Sequence, residues 1–386
     1  MSNAILDSHP SGTSNAILQS HNWASGGPFA NHILSSNVTP GVFSITGASI
    51  VAGVVTVTGF GFGVKSPVAP VLFKSWIGTT AGYNWVEAGY TRRTNNVDFD
   101  NLDNIQASGG FNNEPAMHIA AALTADNSYG VFTHPQIDLP ANSLEVFGNA
   151  WYKFSPDQIT GLGGNNFQIK GPRAGIFGGG DASGNYSTNP HMSSSIFTNG
   201  IWDSVDTKTN QSLEAPISST LVDNYTMWGR LGLPPPPGFG FNVHFNWETY
   251  YRFGDVGVAN GINAQMINGR STGTVTNANN RVSSGQYINY FSPHPGADGP
   301  QTQPRTWDIY ISRPYVDITR ARLFLGNAST IGACTGRFML EPTVWSSGTS
   351  ITANLATTGN SIPSGYSWVY VVIADGTISN GFPYTT

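Results

Sequence analysis

The sequence has little charge and almost no cysteine. Only 10% of its 386 residues are Asp, Glu, Lys or Arg, compared with roughly 25% in an average soluble domain. Ser, Thr, Asn and Gly must therefore cover much of the surface. Cys334 is the only cysteine, which excludes a disulfide framework and a metal cage built from thiolates.

Basic runs and long apolar runs are also missing. The net charge is −5, and the 17 basic residues are scattered, so we expect no nucleic-acid partner. The first residues lack the basic and apolar regions of a Sec signal. No apolar run has the length needed to cross a bilayer, so we expect no membrane insertion.

The residues that are abundant favour an all-β protein. Aromatic residues make up 12% of the chain, and 46 Gly and 24 Pro supply many turns. Phe241, Val243, Phe245 and Trp247 alternate with polar residues, a period of two that predicts a strand with one buried face. Helical spacing is suggested only at residues 114–123.

Short β-prone runs recur along the rest of the chain, and loops rich in Gly, Asn and Ser separate them. The length predicts two or three domains. The predicted strands are 144–154, 167–170, 242–253, 264–267, 307–311, 321–325, 337–340, 350–355 and 368–373.

Residues 1–38 form a polar arm that contains a repeat. The tetrad Asn-Ala-Ile-Leu occurs twice, and Asn-His-Ile-Leu follows as a third copy. Each copy carries one Ile-Leu pair that the arm cannot bury against itself, so we expect each pair to dock on one subunit of a partner lattice. The alternative is a disordered N-terminal segment. The docking residues would be Asn3, Ile5, Leu6, Asn15, Ile17, Leu18, Asn31, Ile33 and Leu34.

Both ends of the remaining chain resemble parts of one domain family. Residues 55–65, VTVTGFGFGVK, resemble the opening of an IPT/TIG domain, which is an immunoglobulin-like sandwich. Residues 321–327, ARLFLGN, and 369–381, VYVVIADGTISNG, resemble its later strands. The resemblance implies one discontinuous Ig-like domain, residues 39–73 and 314–386, with the middle of the chain inserted into it.

The inserted segment, residues 74–313, resembles concanavalin A-like jelly rolls of the lectin and polysaccharide-lyase kind. The similar stretches are AWYKF at 150–154, NNFQIK at 165–170, WETYYRF at 247–253, VANG at 258–261, ING at 267–269 and WDIYI at 307–311. The resemblance implies a jelly roll plus a smaller Ig-like sandwich.

The lyase motifs of that family are incomplete here. Alginate-type lyases carry a Gln-Ile-His strand, and this chain has Gln168, Ile169 and Lys170 at that place. The loss of the histidine removes the group best suited to proton transfer at neutral pH. The Tyr-rich strand of these lyases is matched only loosely by residues 250–252, and their Arg-Glu-Arg strand has no match in this chain. We therefore expect no catalytic activity and no catalytic residues.

Glycan binding remains as a function for the jelly roll. Aromatic faces with amide, carboxylate and cationic partners hold sugars, although alternation along a strand must turn about half of such residues into the core. The candidates are Trp151, Tyr152, Lys170, Glu248, Tyr250, Tyr251, Arg252 and Asn260.

A metal site has little support in the sequence. No two of the eight histidines stand three or four residues apart, as a zinc pair would. Asp98, Asp100 and Asp103 alternate like calcium ligands, but the glycine and final Glu of an EF-hand are missing and a solvated turn explains them too. We expect no cofactor, with calcium as the one candidate.

These features predict a non-catalytic structural subunit on the surface of a phage virion, such as a head decoration protein. The arm would bind capsid or tail proteins, the jelly roll would bind glycans, and the subunit would form a homo-oligomer. The alternatives are a secreted, extracellular carbohydrate-binding protein and a divergent polysaccharide lyase.

Overall fold

The computed structural model describes most of the chain beyond its first 42 residues. It describes residues 43–78, 82, 89–94, 103–123, 134–156, 166–177, 191–199, 207–214, 240, 242–278, 280–281, 283–293, 296–298, 305–356 and 361–386. The predicted docking residues of the arm lie outside these ranges.

Nearly all regular structure in the described residues is β-strand, which confirms the predicted all-β class. One short 3₁₀ turn covers Phe111–Asn113. The strands of the first half are β1 (Ser44–Val51), β2 (Val54–Phe60), β3 (Leu72–Phe73), β4 (Arg92–Thr94), β5 (Asp103–Gln106), β6 (Ala116–Leu123), β7 (His134–Asp138), β8 (Glu145–Pro156), β9 (Asn166–Phe177), β10 (His191–Asn199) and β11 (Thr207–Glu214).

The second half continues in the same way. Its strands are β12 (Phe245–Arg252), β13 (Gly261–Ile267), β14 (Arg270–Ala278), β15 (Tyr287–Ser292), β16 (Gly296–Asp298), β17 (Arg305–Asp317), β18 (Arg322–Gly326), β19 (Arg337–Met339), β20 (Glu341–Val344), β21 (Ser350–Asn354), β22 (Trp368–Val372) and β23 (Phe382–Pro383).

Two large antiparallel sheets form the jelly-roll sandwich. The eight-stranded sheet has the order β14-β13-β12-β8-β17-β6-β5, with β3 beside β17, and the seven-stranded sheet has the order β11-β10-β9-β15-β7-β4, with β16 beside β9. Trp247 and Tyr251 from the first sheet meet Ala174 and Phe291 from the second in one buried cluster. Full burial of each large apolar side chain contributes about 1.5–3 kcal/mol.

Two four-stranded sheets form a smaller sandwich from both ends of the chain. Their orders are β1-β2-β21-β20 and β19-β18-β22-β23. Val55 and Val57 pair with Ala353 and Ile351 across β2 and β21. Strands far apart in sequence therefore complete one sheet. The likeness to IPT/TIG domains remains a prediction.

The small sandwich packs against the outer face of the eight-stranded sheet. Phe147 and Tyr250 from that face share a buried cluster with Phe324, Met339 and Tyr370 from the small sandwich. One face of β8 and β12 therefore looks into the jelly-roll core and the other looks into the contact with the small sandwich. Both faces of these two strands are buried, so most of the predicted sugar-binding residues, which lie on these strands, are buried too.

The suggested helix at residues 114–123 is wrong. Ala116–Leu123 is strand β6, and it pairs with β5 on one side and β17 on the other. Alanine has a high helix propensity, but tertiary pairing overrides so weak a preference.

Among the described residues, no helix has the length and apolar character that crossing a membrane requires.

Candidate functional site

Two of the predicted sugar-binding tyrosines belong to the jelly-roll core. Tyr152 and Tyr251 are at most 1% exposed. The Tyr152 hydroxyl donates to the carbonyl of Pro293 at 2.5 Å, and the Tyr251 hydroxyl donates to the carbonyl of Pro172 at 2.9 Å. These hydroxyls join the two large sheets, so neither ring can stack on a sugar.

Three more predicted residues face the small sandwich. Trp151 stacks on Phe111 with ring centroids 3.7 Å apart. Tyr250 is buried in the contact between the two sandwiches, and Glu248 forms a buried ion pair with Arg337 at 2.8 Å. The prediction treated this sheet face as free, whereas the small sandwich covers it.

The last two described candidates meet at an open cavity of about 570 Å³. Arg252 donates through Nη2 to the backbone carbonyl of Asn260 at 2.9 Å. Glu145, also at the cavity, accepts a hydrogen bond from the Tyr250 hydroxyl. Burial raises the pKa of Glu145 more than Tyr250, Arg320 and Arg252 lower it. Of the eight predicted residues, only Arg252 and Asn260 reach an accessible site in the described structure.

The remaining predicted residues fall partly or wholly outside the described ranges. The backbone of Lys170 lies in β9, where it pairs with Ser195 and Gly296, but its side chain is not described. Asp98 and Asp100 are outside the described ranges, and Asp103 begins β5. In the described part of the chain, no three metal-ligating side chains come together.

A polar row on the outer face of the seven-stranded sheet was missed from the sequence. Arg173 pairs with Ser292 across β9 and β15. Their neighbours Ala174 and Phe291 point into the core, so Arg173 and Ser292 point outward, because side chains alternate along a strand. Gln136 belongs to the same face, since the adjacent Ile137 lies in the core opposite Phe291.

Tyr290 lies on the same face, two residues before Ser292 on β15. It pairs with Gly175 on β9 and with Asp138 on β7. A Cβ atom at Gly175 would lie 1.9 Å from Cε1 of Tyr290, so the ring rests directly on the glycine backbone. The glycine thereby fixes where the Tyr290 ring lies. We call Gln136, Arg173, Tyr290 and Ser292 the polar row.

The members of the polar row are buried as well as polar. Arg173 and Tyr290 are 1% and 2% exposed, and Gln136 and Ser292 are also buried. Buried polar groups are expensive unless they are hydrogen-bonded, and all four make polar or ring contacts. Four polar side chains on the outer face of the sheet are not needed to build the core between the two sheets. The β-bulge between the Lys170 and Arg173 pairs breaks the alternation of β9, so the sequence pattern does not show which way Arg173 points.

The comparison with known proteins bears on the fold. No protein-family model matches the chain, and no curated protein matches it. Among solved structures, it is similar to alginate lyase Aly36B, with 12% identity, a TM-score of 0.43, and 64% of this chain and 97% of that chain covered.

Two further lyases are similar to the same degree. The PL-14 alginate lyase of Aplysia kurodai has 11% identity and a TM-score of 0.40, with 64% of this chain and 97% of that chain covered. The endo-β-1,4-glucuronan lyase of Trichoderma reesei has 10% identity and a TM-score of 0.39, with 62% and 94% covered.

These likenesses contradict the prediction that the chain is non-catalytic, since the similar structures are polysaccharide lyases. That prediction is withdrawn. The comparisons lend no support to the virion role. A likeness at such low identity concerns the fold, and the chemistry of this chain depends on its own residues.

Proposed function

We propose that this protein cleaves uronate-containing polysaccharides by β-elimination at the polar row. The observation that carries the proposal is the placement of Tyr290 one row from Arg173 and Gln136 on the outer face of the seven-stranded sheet. The three side chains supply the functions that such a reaction requires.

The reaction removes a proton and expels a sugar oxygen. A base takes the proton from C5 of the uronate, the electrons form a C4–C5 double bond, and the bond from C4 to the glycosidic oxygen breaks as that oxygen gains a proton. The C5 proton is acidic only when the neighbouring carboxylate is neutralised. Arg173 and Gln136 can donate to that carboxylate, and Arg binds carboxylates in a bidentate manner.

Tyr290 is a group on this face that can move protons. A phenol can act as base when ionised and as acid when neutral, so one tyrosine beside the carboxylate-binding pair can serve both the C5 proton and the leaving oxygen. This arrangement removes the need for the histidine that the sequence lacks at residue 170.

The burial of the polar row sets a condition on access. A polymer reaches Arg173 and Tyr290 only when these buried side chains become accessible. Their burial keeps water away from the carboxylate that they would bind.

The test is incubation of the full chain with alginate, with polyglucuronate and with a neutral glucan as control. The unsaturated uronate product absorbs in the ultraviolet, so absorbance should rise with at least one uronate polymer and stay flat with the glucan. A flat trace with every uronate polymer would overturn the proposal.

A location on a virion, with the arm bound to capsid or tail proteins and the subunits forming a homo-oligomer, is a separate proposal. It is supported by the repeated Asn-Ala-Ile-Leu tetrad at residues 3–6 and 15–18. Deletion of residues 1–38 should abolish attachment to particles and leave cleavage unchanged; particles that still carry the shortened chain would contradict this location.

A further inference from the structure

The open cavity beside Glu145 lies where three central strands of the eight-stranded sheet begin or end, namely β8, β12 and β17. Residues 140–145 form one wall as they lead into β8, and residues 252–255 form another as they leave β12. Ile318, just after β17, closes a third side. Its volume of about 570 Å³ lies within the roughly 300–1,000 Å³ typical of small-molecule sites.

The wall that follows β12 is held rigidly. The side chain of Asn280 accepts from the backbone N–H of Gly254 at 3.0 Å and donates to the carbonyl of Arg252 at 3.0 Å. Asn260 accepts from the backbone N–H of Asp255 at 2.8 Å and donates to its carboxylate at 2.8 Å. A Cβ atom on Gly254 would lie 2.3 Å from Oδ1 of Asn260, so the turn closes only around glycine.

The opposite wall is also tied to its surroundings. Leu144 accepts through its carbonyl from the N–H of Phe253 at 2.8 Å, and Ser143 accepts from the N–H of Ile288 at 2.8 Å. The Ser143 hydroxyl donates to the carbonyl of Pro140 at 2.6 Å. Both walls are therefore preorganised, and preorganisation lowers the entropy cost of binding.

The polar groups of the cavity include both acceptors and donors. Glu145 and Asp255 offer carboxylate oxygens, whereas Arg252 offers N–H groups. The Nε atom of Arg252 is buried and has no hydrogen-bond partner among the described residues. Leu144, which is 40% exposed, adds an apolar surface. Alternating donors and acceptors beside an apolar surface match the vicinal hydroxyls and C–H face of a sugar ring.

The charge of the cavity decides which sugar it fits. Among the described residues that line it, Glu145 and Asp255 are acidic and Arg252 is basic. Arg320 also acts on the Glu145 carboxylate, so two arginines balance the two acids and the cavity has no excess positive charge to attract a uronate or phosphate. A neutral, hydroxyl-rich ring does not need such a charge.

We propose that this cavity is a binding site for a neutral mono- or disaccharide unit, separate from the polar row. The site goes beyond the elimination reaction and does not depend on it. A chain with both sites would hold a neutral sugar on one surface while a uronate polymer is cleaved on another.

The test titrates the full chain with neutral hexoses and their disaccharides, and in a second arm with uronates, by isothermal titration calorimetry. We expect saturable binding of at least one neutral saccharide at millimolar concentrations. Leu144→Trp, which fills the cavity from an exposed position, should weaken that binding at least tenfold. Val344→Trp, at an exposed position on β20, is the matched control and should bind as the wild type does.

Arg252→Gln tests the same site independently. Its control is Arg270→Gln, which changes an exposed arginine outside the cavity. Arg252→Gln should weaken binding at least tenfold and Arg270→Gln should not, with thermal unfolding confirming that both variants fold. Absence of binding to the wild type, unchanged binding to Leu144→Trp, or preference for uronates would overturn the proposal. Tyr290→Phe should bind the neutral sugar normally, so failure of the elimination and failure of this site are distinguishable.

Discussion

Nη1 of Arg337 lies 2.8 Å from Oε2 of Glu248, and both side chains are 2% exposed. Glu248 belongs to the jelly roll and Arg337 to the small sandwich, so this ion pair joins the two across their contact. Nη2 of Arg322 stands 4.0 Å from the same carboxylate oxygen. One carboxylate therefore compensates two buried guanidinium groups.

Removal of that carboxylate charge should destabilise the protein strongly. Glu248→Gln leaves both arginines without an acidic partner among the described residues, and breaking a buried pair costs about 3–5 kcal/mol. Urea unfolding measures the free energy. Glu341→Gln is the control: its carboxylate only accepts a longer hydrogen bond from Asn354 at 3.4 Å, which an amide oxygen can also accept, so it should lose far less stability. Equal losses of unfolding free energy in the two variants would contradict this prediction.

His244 should make stability fall as the pH falls. Its Nε2 lies 3.0 Å from the carbonyl oxygen of Gly109, and burial lowers its pKa from the ordinary 6.5 despite that contact. The folded state thus prefers the neutral ring, so the contribution is fully present above pH 6.5 and is lost as the pH falls through the lowered folded pKa.

The measurement compares the wild type with His244→Gln, whose amide can donate to the same carbonyl and does not titrate. The difference in unfolding free energy between the two should be constant above pH 6.5 and should shift in favour of the variant below it. A difference that does not change with pH would contradict the assignment.

The sequence predicted the strands better than it predicted their faces. The alternation at 241–247 predicted only the start of β12, because Phe245 and Trp247 are buried in that strand whereas Val243 precedes it and is 44% exposed. It could not predict that the small sandwich would cover the second face and bury Trp151, Glu248 and Tyr250. That contact joins segments far apart in the chain, and no local pattern reports it.

The polar row also could not be predicted from the sequence. Gln136, Arg173 and Tyr290 are separated by dozens of residues, and strand pairing alone brings them together. By contrast, Arg252 and Asn260, which meet across one turn, were chosen for their residue types in stretches that resemble jelly-roll strands. Cross-strand sites such as the polar row require the sheet order, which no local pattern supplies.

Gly175→Ala should impair cleavage by displacing Tyr290. The added methyl would overlap the ring, and overpacking of this kind costs about 1–3 kcal/mol. The control is Gly326→Ala in the small sandwich, where a Cβ atom would lie 2.7 Å from Tyr370. Both variants should lose comparable stability, but only Gly175→Ala should lower kcat. Equal kcat values at matched stability would count against a role for the Tyr290 position.

Tyr290→Phe should abolish most of the activity while the fold persists. Loss of a group that transfers protons lowers the rate by roughly 10²–10⁴-fold, whereas loss of one hydroxyl costs only about 0.5–1.5 kcal/mol of stability. Steady-state kinetics on the preferred uronate polymer measures the first and urea unfolding the second. Tyr384→Phe, which loses a hydroxyl bonded to the carbonyl of Tyr366 at 2.9 Å, should retain the wild-type rate.

The most direct test of elimination at the polar row is mass spectrometry of the products formed from a uronate polymer by the wild type and by Tyr290→Phe. Elimination predicts wild-type oligosaccharides whose new non-reducing ends are lighter by one water molecule than hydrolysis products, and almost none of them from the variant. Hydrated ends, or equal yields from the two proteins, would contradict it.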